Sequence, residues 1–175
     1  MTFATKAPAL TYHGDPAIKA RTTPTLTSRA TDAITASAMA RLSAPMPNRI
    51  RHYSNSNVDF IADVLRDAEL RIPPAPEGVC NGRAFHDWMV ASGFRVVTAL
   101  NPAALNPIPP RDLIRDARPG DIVSCRAGVG EKAAVCVGRG EFITGVGGRV
   151  GRSDLNSYDW YSATTYRPVR TGARA

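Results

Sequence analysis

The sequence predicts an α+β fold in which two helices pack on a small antiparallel sheet, with an extended N-terminal arm ahead of them. Three observations carry that expectation. Between Gly120 and Thr144, short β-branched runs alternate with Gly-bearing breaks, the pattern of antiparallel strands joined by tight turns. Upstream, the segments 57–70 and 81–92 place apolar residues at helical spacing. Residues 1–30 are rich in Thr, Ala, Pro and Ser, with few large apolar groups, and cannot bury enough surface to fold alone.

Taken in order, Pro8, Pro16 and Pro24 keep the first segment out of helix and favour extended backbone before each of them. Such a segment is either a solvated tail or an arm ordered against a neighbouring subunit. A short helix is predicted over 31–42: Thr31 can cap it, Asp32 suits its first turn, and Ile34, Ala38 and Leu42 recur four apart. Pro45 and Pro47 close it, and the polar, basic stretch 48–56 leads into the main domain. The organisation expected is therefore an arm over 1–56 and an α+β domain over 57–175.

The helix predicted over 57–70 has Val58, Ile61, Ala62, Leu65 and Ala68 as its apolar stripe, with Asp59, Asp63, Arg66 and Asp67 mostly off it. Ser56 or Asn57 can cap it, and the Pro-rich run 73–76 extends the chain beyond it. The helix over 81–92 turns Ala84, Phe85, Trp88, Met89 and Ala91 to the core and stops at Gly93. Residues 94–100 read as a strand, 101–110 as irregular, and 111–116 as a helical turn at most. Ile122–Cys125, Ala133–Val137 and Glu141–Thr144 form a meander, with Ala133, Val135 and Val137 on one face. Ser157–Pro168, bearing Tyr158, Trp160, Tyr161 and Tyr166, completes the sheet.

Composition narrows the function classes. The formal charge is +7, and seven Lys/Arg against two Asp place +5 of it within residues 1–56. A basic arm suits an acidic protein surface or nucleic acid; Lys/Arg blocks with interleaved aromatics are missing, which points away from nucleic-acid reading. No apolar run is long enough to cross a membrane, and the first residues have no signal-like apolar core. Synthesis in a bacterial cytoplasm without a signal peptide is the expectation. Cys80, Cys125 and Cys136 are too few for a disulfide framework and match no zinc spacing, so no metal and no cofactor is expected.

Two blocks carry a resemblance. PGDIV with KAAVCVGRGEFITGVGGRV (119–150), and Val79-Cys80-Asn81-Gly82 before a helix, resemble the NlpC/P60 cysteine peptidases over about residues 57–170. The resemblance implies a papain-like fold, with Cys80 at the nucleophile position, Lys132 at the family's histidine and Thr144 at its third polar residue. A thiolate at a helix start needs a base to take its proton. No histidine follows His86, and His86 lies six residues past Cys80 on the same predicted helix, nearly two turns away. His13 and His52 precede the domain. Cys125 and Cys136 read as core packing, His86 as a satisfied histidine, Asp121 as a turn cap, and the aromatics as sheet packing.

The expectation is a catalytically degenerate NlpC/P60-like domain reused as a structural or assembly protein of a phage-like virion: a tail, connector or decoration component. Its partners would be other virion or assembly proteins contacted through residues 1–56. The rival is an active peptidoglycan hydrolase or amidase using Cys80 as nucleophile, with peptidoglycan as its partner.

Overall fold

The computed structural model describes residues 28–47, 56–76, 82–100, 115–127, 130–155 and 162–169. Three helices pack on one six-stranded antiparallel sheet among these residues.

Helix α1, Ser28–Ala40, starts three residues before the predicted cap. Thr31 lies inside it, and its carbonyl accepts the Thr35 hydroxyl at 3.0 Å. Cap-type residues run together here in the sequence (Thr25, Thr27, Ser28), so composition alone does not single out a first turn. The helix ends well before Pro45, where Ser43 takes φ +68° and turns the chain. Ile34 and Ala38 are fully buried in the main core, as their spacing predicts. Residues of α1 share the core cluster with α2 and the sheet, and residues 1–27 and 48–55 lie outside the described residues.

Helix α2, Ser56–Asp67, is more enclosed than its predicted stripe. Every residue from Val58 to Leu65 is buried, including Phe60, Val64, Asp59 and Asp63. The sheet takes one flank and α1 another. Burial of Asp63 is tolerated because Arg66 donates to it at 2.9 Å and Arg41 at 3.5 Å, while Arg41 also reaches Asp67 at 2.6 Å. The helix stops in a Schellman motif, with Glu69 at φ +58° and bonds from Glu69 N to Arg66 O and from Leu70 N to Leu65 O.

Helix α3, Gly82–Ala91, buries Phe85, Trp88 and Met89; Ala84 is half-buried, and Ala91, expected inside, is exposed. Gly93 at φ +85° ends it and turns the chain into the first strand. The Trp88 indole donates to Pro73 O at 3.2 Å, which fastens the extended segment after α2 across the helix.

The strands are β1 Phe94–Leu100, β2 Ile122–Ala127, β3 Gly130–Gly138, β4 Glu141–Val146, β5 Arg149–Ser153 and β6 Ser162–Pro168, ordered β1-β6-β2-β3-β4-β5. The predicted meander forms β2 to β4, and β5, which the sequence does not mark as a strand, extends it. β6 then returns to lie between β1 and β2. Side chains alternate across the sheet and divide the core in two. Ile122, Ala133, Val135, Ile143, Val150 and Tyr166 lie under the helices. Val123, Cys125, Ala134, Cys136, Phe142 and Ala163 lie on the other face with Leu155. No described helix is long and apolar enough to cross a membrane.

Candidate functional site

Cys80 lies outside the described residues, as do His13 and His52. The other two predicted site positions, Lys132 and Thr144, are among the described residues. Lys132 sits on β3 opposite Cys125 of β2. Its neighbours Ala133 and Val135 point beneath the helices, so strand alternation turns Lys132 to the other face, with Ala134 and Cys136. Thr144, two residues from Phe142 on β4, shares that second face and is fully buried. Its hydroxyl donates to Ala133 O at 2.8 Å. Lys132 and Thr144 are thus brought to one side of the sheet, and α3 packs on the opposite side.

His86 is on the helix side. It is half-buried on α3, with Nδ1 3.4 Å from the Tyr166 hydroxyl and its ring 5.9 Å from the Tyr166 ring. Tyr166 also meets Phe85 edge-on at 5.8 Å, so the tyrosine expected to complete the sheet ties β6 to α3. Tyr158, Trp160 and Tyr161 lie outside the described residues.

Two thiols are described, both buried. Burial pushes the Cys125 thiol up to about 12, with the Lys132 charge opposing it. Burial likewise takes Cys136 to about 11, and its Sγ donates to Gly138 O at 3.2 Å. Neither is a thiolate at neutral pH, so neither is a nucleophile.

Asp121 does more than cap a turn. It accepts the Arg118 N–H at 2.8 Å, as its PGD context predicts. It also accepts Arg167 through Nε at 2.9 Å and Nη2 at 2.7 Å, a bidentate pair in which the carboxylate is 1% exposed. The Asp121 carboxylate raises the Arg167 guanidinium pKa above its ordinary value, against the opposing effect of burial. Sequence reasoning missed this pair because its signal is register: only the pairing of Ile122 with Tyr166 brings residues 121 and 167 side by side. The pair clamps the entry of β2 to the exit of β6. Among the described residues, no group of three His, Cys, Asp or Glu side chains could hold a metal ion.

No protein-family model matches this chain, and no curated protein matches it.

Proposed function

We propose that this chain is a non-catalytic structural or assembly protein on a degenerate NlpC/P60-like scaffold, serving as a tail, connector or decoration component of a phage-like virion. The observation that supports it most is the placement of Lys132: the residue at the family's histidine position is an ammonium on the sheet face opposite α3. A proton acceptor for a nucleophile preceding α3 has to lie within hydrogen-bond reach of it. Thr144 offers no help, because its hydroxyl is already committed to a backbone carbonyl. The histidine that does lie on the helix side, His86, is turned to Tyr166. The virion setting rests on the family's occurrence in phage particles and on the basic N-terminal segment.

The test is release of soluble peptides from purified peptidoglycan by the full chain and by Cys80→Ala. The expected result is the same background for both proteins. Release by the wild type that falls about a thousandfold in Cys80→Ala, the scale of losing a catalytic nucleophile, would overturn the proposal in favour of a peptidoglycan hydrolase.

A further inference from the structure

Arginines gather at the corner where β2 begins and β6 ends. Arg118 N and Arg167 Nη2 converge on one oxygen of Asp121, Oδ2, at 2.8 and 2.7 Å. Arg167 Nη2 also donates to Asp116 O at 2.9 Å, which brings Arg115 and Asp116 to the same place. On the other side of Arg167 stands Arg95. The two are directly opposed in the β1–β6 register, ahead of the shift between Val96 and Thr98, so both side chains leave the same face of the sheet.

Four arginines against two aspartates give this corner a local charge of +2. The carboxylates are shared unevenly. Asp121 is committed to Arg167, and Asp116 meets Arg115 at 3.9 Å with both side chains exposed. Arg95 and Arg118 are exposed and have no acidic partner among the described residues. Like charges directly opposite on neighbouring strands destabilise a sheet, and Arg95 beside Arg167 is such a pair. Arg167 itself is held in place. Its Nε and Nη2 make the bonds to Asp121 and Asp116, whereas Nη1 makes none of them, and its side chain still reaches solvent at 18%. A guanidinium fixed by a buried carboxylate, with one NH2 group uncommitted, is a donor positioned before any ligand arrives.

We propose that this corner binds a dianionic phosphate group, as free phosphate or a phosphate monoester, between Arg95 and Arg118 and over Arg167 Nη1. Charge and shape select the ligand. A phosphate monoester carries about −1.5 to −2 at neutral pH and presents three acceptor oxygens, which matches two arginines without carboxylates beside a third that is fixed. A carboxylate has a single negative charge and is satisfied by one guanidinium fork, as Asp121 is by Arg167. An extended acidic peptide or a nucleic-acid backbone calls for cations spaced along a track. These arginines meet at one point, and β1 adds no charge beyond Arg95. The inference goes beyond the assembly reading and stands on this cluster alone, so the peptidoglycan assay and the experiment below succeed or fail separately.

The test is calorimetric titration of the full chain with inorganic phosphate at about pH 8, where the anion is doubly charged, and at constant ionic strength. The expected result is saturation of one site with a Kd of about 0.1–1 mM, the scale of two charge-assisted contacts. Arg95→Ala and Arg118→Ala each weaken binding by at least about tenfold. Arg139→Ala, at an exposed arginine in the β3–β4 turn, leaves it unchanged. Acetate and dimethyl phosphate, each singly charged, bind at least about tenfold more weakly than phosphate. O-phosphoserine and adenosine monophosphate separate the sources: equal binding of both and of phosphate means that the phosphate group alone is read, and tighter binding of one names its carrier. Circular dichroism confirms that each variant is folded. No saturable binding of any of these phosphates, acetate binding as tightly as phosphate, or a loss in Arg139→Ala as large as in Arg95→Ala would overturn the proposal.

Discussion

Gly120 and Gly93 both hold positive φ, +82° and +85°, but in different surroundings. A Cβ on Gly120 would lie 2.5 Å from Thr31 Cγ2 and 3.0 Å from the Thr31 backbone, whereas one on Gly93 would meet nothing within 4 Å. Gly93→Ala therefore costs only the left-handed backbone strain, about 1 kcal/mol. Gly120→Ala adds a collision with α1 and costs roughly 2–4 kcal/mol. Urea denaturation of the two variants measures the difference, and equal losses would mean that α1 is not seated on the PGD turn. The buried thiols make a pH prediction. Both pKa values are raised from 9.0, to about 11 for Cys136 and about 12 for Cys125, so the folded state keeps protons that the unfolded chain gives up. Their contribution to stability is complete below pH 9 and is lost as pH rises from there through the two folded values. Urea midpoints should therefore fall less steeply in this range for the Cys125→Val, Cys136→Val double variant than for the wild type.

At the scale of elements, α2 ends on a residue poorly suited to its geometry. Glu69 occupies the left-handed position of a Schellman motif with an exposed side chain. Glu69→Gly should stabilise the protein by about 0.5–1 kcal/mol, read as a rise in the urea midpoint. The same scale shows what the sequence could and could not disclose. The strands were legible because β-branched runs and Gly turns mark them, and the alternation of Ala133, Val135 and Val137 assigned their shared face correctly. The place of α1 in the core was not legible, because in its Thr/Ala-rich sequence only Ile34 and Met39 are large apolar residues. The burial of Asp59 and Asp63 was hidden for a related reason. Carboxylates read as a solvated face until the packing of α1 against α2, with Arg41 reaching Asp63, is known.

At the scale of the whole molecule, the site depends on which side of the sheet the helices take. Alternation alone puts Lys132 opposite Ala133. Only tertiary packing shows that α3 shares the face of Ala133, leaving Lys132 and Thr144 on the far side. The Asp121–Arg167 clamp and the insertion of β6 between β1 and β2 belong to the same long-range level. They fasten β6 into the sheet beside β2. The most direct test of whether a base serves Cys80 is the pH dependence of its alkylation by iodoacetamide in the native full chain. Cys125 and Cys136 are buried and protonated at neutral pH, so the native reaction reports on Cys80. The expected result is an unactivated thiol, with a midpoint at about 8.5 or above, or no reaction at all. Full reactivity at pH 6, with a midpoint below about 7 that Lys132→Ala abolishes, would contradict it.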